Sequence, residues 1–121
     1  MSRAAFTVKA FAIYLFVVGA TLILAPNLLL RASFLPVTSE VWIRVVGVLA
    51  FNIGVYYWYA AKSEAKAVLT ASVYARTFVF AAFVAFAVLR LTPPALVVFG
   101  VVDLAGAAWT WSALRAGQRA G

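Results

Sequence analysis

Three polar residues lie inside long apolar stretches of this sequence: Asn52, Arg76 and Asp103. Each belongs to a different stretch. A charged side chain at the centre of a bilayer costs about 3 kcal/mol or more, so it is generally paired or serves a function. These residue types at such depth therefore suggest either a buried ion pair or an intramembrane binding site.

The apolar stretches predict the elements that hold these residues. Of the 121 residues, 67% are hydrophobic and only 11% are charged, too few polar residues to cover a soluble domain. Each stretch has about 20 residues, enough to cross a hydrocarbon core of about 30 Å as a helix. We predict an all-α, polytopic membrane protein whose single domain, residues 1–121, is an up-down bundle of four transmembrane helices. Their predicted limits are about 10–30, 41–61, 68–91 and 95–114.

The last two predicted helices bring Arg76 and Asp103 to similar depth. They run antiparallel through the short turn at residues 92–94, so we expect the two charges to form an ion pair, with Asn52 at the same level. Two interpretations stay open. The polar residues hold the helices together, or they have a function, either as a ligand or ion site at the midplane or as a proton-linked switch at Asp103.

A second polar group lies nearer the outer surface. Glu40 and Arg44 are four residues apart on one helix, and Trp42 lies between them. One interpretation is an i, i+4 ion pair beside an interfacial tryptophan. The other is the mouth of a cavity that leads inward to the buried polar residues.

Tyrosines supply a further set of candidates for an inner cavity. Tyr14, Tyr56 and Tyr74 are on three different predicted helices. Aromatic side chains in membrane helices commonly face lipid or fill packing space, which is the competing interpretation. Of the three, we predict Tyr74 as a ligand-binding residue.

Composition excludes several kinds of chemistry. The chain has no cysteine or histidine, and its only methionine is Met1, so disulfides, zinc–thiolate sites and ordinary haem ligation are ruled out. The chain has only three acidic residues, which are far apart in sequence, and this argues against a carboxylate-rich metal site. We predict no catalytic residue, no metal and no cofactor.

Positive charges predict the orientation in the membrane. Six basic residues fall on one side of the predicted bundle and two on the other, which places both termini in the cytoplasm. The net charge of +7 therefore indicates contact with anionic membrane lipids, and we expect no nucleic-acid partner. We interpret the first stretch as a retained span because no cleavage site of signal-peptide type follows it. The six are Arg3, Lys9, Lys62, Lys66, Arg115 and Arg119, and the two are Arg31 and Arg90.

Four segments together resemble a known group of proteins: residues 36–47, 54–57, 74–76 and 103–110. Their pattern is similar to that of small bacterial four-helix membrane proteins grouped as BphX-like or DoxX-like. The resemblance covers most of the chain and implies a four-helix bundle in the bacterial inner (plasma) membrane. It implies no catalytic residue.

Two functions from different classes are compatible with the sequence. In the first, the bundle binds a small hydrophobic or amphipathic molecule between its helices, Arg76 and Asp103 orient its polar end, and transport or sensing follows. In the second, the chain is an accessory or structural subunit of a homo-oligomer or larger membrane complex and has no ligand. An enzyme is a third alternative, but the missing histidine and cysteine argue against most membrane hydrolases, metalloenzymes and redox proteins.

Overall fold

Four long helices make up most of the molecule. The computed structural model describes residues 1–120, with side chains for residues 1–118. The long helices are each long and apolar enough to span a membrane, which confirms the predicted all-α bundle. A short helix, α2, follows the first of them, and a single 3-10 turn, Pro94–Leu96, precedes the last. The helices are α1 (Arg3–Leu24), α2 (Pro26–Ala32), α3 (Trp42–Lys62), α4 (Lys66–Val88) and α5 (Val97–Ala120).

The first predicted helix differs most from the structure. It begins at Arg3, well before residue 10, because the Ser2 hydroxyl accepts a hydrogen bond from the Ala5 N–H (3.0 Å) and caps the helix. It ends at Leu24, where Ala25 leaves the helical conformation. Pro26 then starts α2, since proline lacks an N–H and suits the first position of a helix. The predicted single helix over 10–30 is therefore two helices.

The packing of the long helices divides the bundle into two pairs. Helix α1 packs most extensively on α3, and α4 packs on α5; contacts between α1 and α5 join the pairs. Helices α3 and α4 are consecutive but make few contacts. We call the end with residues 1–9, 60–70 and 110–118 the terminal end, and the end with residues 22–45 and 86–99 the loop end.

Helices α1 and α3 touch through their backbones at two glycines. A Cβ atom on Gly19 would lie 2.7 Å from the Phe51 backbone nitrogen and 2.8 Å from the Gly47 carbonyl oxygen. A Cβ on Gly47 would lie 2.8 Å from the Leu22 Cβ. No side chain fits between backbones this close. The crossing therefore fixes α3 against α1 in the loop half of the bundle.

The start of the chain is fastened to the turn between α3 and α4. The Ser2 backbone N–H donates a 2.6 Å hydrogen bond to Glu64 Oε1. This N–H, and then the Ser2 side chain, lower the pKa of the exposed Glu64 carboxyl. Ser2 thus caps α1 and also holds the α3–α4 turn against it.

The glycine crossing gives a first prediction. Gly19→Ala places a methyl group against the backbone of α3, which cannot yield as a side chain can, so we expect a loss of about 1–3 kcal/mol of unfolding free energy. SDS titration of the protein in detergent micelles measures it. Gly117→Ala is the matched control because nothing lies within 4 Å of its Cβ position; it should be neutral or slightly stabilising. Equal stability of the two variants would contradict the close crossing.

The Ser2–Glu64 contact gives a second prediction, about acid. Because the folded-state pKa of Glu64 is depressed, its contribution to stability is present above the unfolded-state pKa and is lost as pH falls through the folded value. Glu64→Gln should therefore lower the melting temperature slightly at pH 7 and have less effect at pH 3. Thermal unfolding in detergent at both pH values measures this. Glu40→Gln, at the loop end, is the control; the same pH-dependent loss there would argue against the assignment.

Candidate functional site

Arg76 is the most deeply buried charged residue among the described side chains, with 2% of its surface exposed. Its Nε donates to the Ser72 carbonyl (3.1 Å), and its Nη2 donates to Ser72 Oγ (2.9 Å) and Thr110 Oγ1 (2.8 Å). Ser72 lies one turn earlier on α4, and Thr110 lies on α5. Hydroxyl and carbonyl oxygens, and not a carboxylate, therefore solvate this guanidinium.

Thr7 extends the hydrogen bonds of Arg76 to a third helix. The hydroxyls of Thr7 and Thr110 are 2.7 Å apart, and Thr7 also donates to the Ala4 carbonyl at 2.7 Å. A threonine hydroxyl has one proton, so Thr110 must donate to Thr7. The hydrogen bonds then run in one direction, from Arg76 through Thr110 and Thr7 to the backbone of α1. We call Thr7, Ser72, Arg76 and Thr110 the polar cluster; it joins α1, α4 and α5.

Aromatic rings cover other parts of the guanidinium. Its central carbon lies 4.7 Å from the centroid of the Phe11 ring and 5.9 Å from that of Tyr57, which gives cation–π contacts. Nη1 has no hydrogen-bond partner. A Cβ on Gly106 would lie 2.9 Å from this nitrogen, so the glycine leaves room for the guanidinium against α5.

The predicted ion pair between Arg76 and Asp103 is wrong. Within the described side chains, no nitrogen of Arg76 hydrogen-bonds to Asp103 or lies within 4.0 Å of its carboxylate. Side chains tilt toward the N-terminus of their own helix, and these helices run antiparallel. Arg76 therefore leans toward the terminal end, where Ser72 and Thr110 hold it, and Asp103 leans toward the loop end.

Asp103 instead lines a cavity of about 220 Å³ in the loop half of the bundle. The cavity is continuous from the level of Tyr14 and Asp103 to the short helix α2. Among the residues with described side chains, Asp103 is the only charged one in its lining, and Tyr14 lines the cavity at the same end. The remaining lining residues are Leu15, Val18, Leu22, Leu29, Leu30, Leu35, Ile43, Val46, Ala50, Val79, Phe83, Leu96 and Phe99.

The other predicted site residues lie outside this cavity. Asn52 is exposed and does not join Arg76 and Asp103, because its position on α3 faces away from the bundle interior. Tyr74 is 74% exposed and Trp42 is 69% exposed, as expected for side chains that face lipid or the interface. Tyr56 is exposed too, so of the three candidate tyrosines only Tyr14 lines the cavity.

Glu40 and Arg44 do not form the predicted ion pair. Arg44 Nη1 donates to the Ile23 carbonyl, where a cation suits the C-terminal end of α1. The Glu40 backbone N–H donates to Thr38 Oγ1 at 3.0 Å. Both residues line an open surface groove at the loop end, and Ile43 lines this groove and the cavity. The groove adjoins the cavity, but Glu40 and Arg44 of the groove do not line the cavity.

A larger depression of about 510 Å³ lies at the terminal end of the bundle. Its walls include Met1, Arg3 and Trp109, which belong to the ends of α1 and α5. In a membrane this position faces water and headgroups. The smaller cavity is the better candidate because it lies between the helices and is lined by Asp103, a partly buried acid.

The sequence signals for the polar cluster were incomplete. Thr110 was recognisable because it shares a helical face with Asp103 and Gly106. Ser72 and Thr7 were missed. The i, i+4 spacing of Ser72 and Arg76 is the signal for the first. Nothing in the sequence places Thr7 beside Thr110, since the two are 103 residues apart.

Comparisons with protein-family models, curated proteins and solved structures gave no match to this chain. The resemblance to BphX-like and DoxX-like proteins therefore stays a prediction. Function has to be inferred from the polar cluster and the cavity alone.

The separation of the two charges predicts which residues are energetically coupled. Thr110→Val leaves a buried guanidinium nitrogen short of an acceptor and should cost about 1–3 kcal/mol, whereas Thr77→Val, at an exposed threonine of α4, should cost less than about 0.5 kcal/mol. In double-mutant cycles with Arg76→Met, Thr110→Val should couple more strongly than Asp103→Asn. SDS titration in micelles gives the free energies. If Arg76→Met coupled more strongly with Asp103→Asn than with Thr110→Val, the result would support an Arg76–Asp103 ion pair instead.

Proposed function

We propose that this protein binds a small hydrophobic or amphipathic molecule in the cavity between its helices, as a multi-pass protein of the bacterial inner membrane. Binding would serve transport or sensing. The observation that carries the proposal is a cavity that all four long helices and α2 line almost wholly with apolar surface, with Asp103 and Tyr14 as the polar residues among the described side chains that border it. Ligand sites commonly combine an apolar lining with a few convergent polar groups.

The size of the cavity supports a ligand of modest dimensions. Its volume is about 220 Å³. An apolar protein cavity of about 150 Å³ is enough to hold a benzene molecule. We infer a ligand with one ring or a short alkyl chain and one polar group.

The sparse contact between α3 and α4 supports a route of entry. Helix α3 contributes Ile43, Val46 and Ala50 to the cavity, and α4 contributes Val79 and Phe83. These two helices pack little on each other. A hydrophobic molecule would enter from the bilayer between them, with α2 above the loop end of the cavity.

The polar cluster has a different task in this proposal. Arg76 is saturated with protein contacts on Nε and Nη2 and does not line the cavity. We therefore assign it to holding α1, α4 and α5 together. Asp103 alone of the two charges contacts the ligand.

Charge supports an orientation with the terminal end in the cytoplasm. Arg3, Lys62, Lys66 and Arg115 are exposed there. Basic residues next to membrane helices favour the cytoplasmic side and attract anionic headgroups. The cavity would then lie in the outer half of the membrane.

Binding of benzyl alcohol to the protein in lipid nanodiscs tests the proposal. We expect saturable shifts of the Ala50 methyl resonance in ¹³C-alanine-labelled protein, with the free alcohol concentration set by dialysis against protein-free nanodiscs. Ala50→Phe fills the cavity and should abolish saturable binding. Because this variant lacks the Ala50 methyl group, its binding is measured from the methyl resonances of other alanines that are shielded from solvent and lipid. Ala81→Phe, the same change at an exposed position of α4, should bind normally.

Two results would overturn this function. One is a response of the wild-type protein that rises linearly without saturation, as partition into lipid would give. The other is identical binding by the Ala50→Phe and Ala81→Phe variants. Either would favour the accessory-subunit alternative, in which the protein holds no ligand.

A further inference from the structure

We propose that the ligand of the cavity is an organic cation, a protonated amine with a compact apolar body, and that Asp103 is its counter-ion. This inference rests on the proposed function and names the chemical class of the molecule bound. It is carried by what surrounds Asp103 and not by the cavity alone.

The first step is that, among the described side chains, the carboxylate of Asp103 has no cationic partner in direct contact. Arg76 forms no ion pair with it, and its guanidinium is held by Ser72 and Thr110. Within residues 1–118, no lysine or arginine lines the cavity. A carboxylate removed from water at this depth is costly unless a positive group pairs with it. A cationic ligand supplies that group.

The second step is the position of the charge within the cavity. Asp103 lies at the inner end with the Tyr14 phenol, and the walls between it and α2 are aliphatic or phenyl side chains such as Phe83 and Phe99. A molecule with a charged head and an apolar body matches this polarity. Its ammonium group would donate hydrogen bonds to Asp103, with its body among the leucine, valine and phenylalanine side chains.

The third step excludes the opposite charge. An organic anion would bring a second negative group against Asp103 in a medium of low dielectric. Arg76 lies near enough to attract the charge of Asp103, but it is not part of the lining, and its unpaired Nη1 lies against the α5 backbone at Gly106. The cavity should therefore rank cation first, neutral molecule second and anion last.

Three probes of nearly equal shape test this ranking at pH 7: benzylammonium, benzyl alcohol and benzoate. Saturable shifts of the Ala50 methyl resonance in nanodiscs report binding of each, against free concentrations set by dialysis. We expect benzylammonium to bind about tenfold more tightly than the alcohol, since a charged hydrogen bond is stronger than a neutral one, and benzoate to bind weakest. The nanodiscs contain only zwitterionic lipid, so that the membrane itself does not concentrate the cation.

Variants of Asp103 assign the preference to this carboxylate. Asp103→Asn should bring the affinity ratio of benzylammonium to benzyl alcohol close to one, whereas Asp103→Glu should keep the cation preferred. If Asp103→Asn does not fold, the wild-type ranking and Asp103→Glu still decide the matter. An unchanged ratio in Asp103→Asn would overturn the assignment.

The outcomes separate this inference from the proposed function. Saturable binding of benzyl alcohol as tight as that of benzylammonium, or tighter, would overturn the cation proposal and leave a site for neutral molecules. Benzoate as the tightest probe would overturn it in favour of a site governed by Arg76. Saturable binding of none of the three would overturn both proposals.

Discussion

A guanidinium closed off from solvent inside a bundle of membrane-length helices constrains the rest of this structure. Arg76 retains its charge because arginine is not deprotonated in proteins, so its nitrogens require acceptors wherever the side chain lies. Ser72 supplies two acceptors from the same helix, and Thr110 supplies one from α5. Thr7 accepts in turn from Thr110. Rotation of α1, α4 or α5 about its own axis would break at least one of these bonds, so the cluster sets the register of three helices in the terminal half.

The loop half is held by a different constraint, and the difference explains where the cavity lies. Gly19 and Gly47 bring the backbones of α1 and α3 into contact, without polar groups. Drawing α3 toward α1 moves it away from α4, and these two helices make few contacts. The space that results is too wide for the side chains that line it to fill. A bundle fastened by hydrogen bonds in its terminal half and by the α1–α3 backbone crossing in its loop half thus contains an opening in the loop half, where α3 and α4 are apart.

The sequence predicts the large features of this molecule because they follow from composition. Four apolar runs of membrane length have few alternatives to four spanning helices. The sequence also identifies Arg76 and Asp103 as unusual, since depth in the bilayer follows from position along a helix. Side chains lean toward the N-terminus of their own helix, and this lean, which position along the helix alone leaves out, separates the predicted pair. Asn52 shows a related error, because position along α3 gives its depth but only packing decides which side of α3 faces the bundle. The α1–α2 break at Ala25 was missed since a proline near a helix end is compatible with both continuation and a new start.

The separation of the two charges bears on why Asp103 is an acid at all. A carboxylate that neutralises a buried arginine has a structural role, and replacing such a pair by apolar side chains is often tolerated. Nε and Nη2 of Arg76 are held by Ser72 and Thr110, so the hydrogen bonds of the polar cluster do not require a carboxylate one or two turns away on α5. Asparagine or threonine would serve as well in helix packing. The negative charge is explained if its partner is a bound molecule and not part of the folded chain. Asp103 lines the cavity, which is where such a molecule would lie.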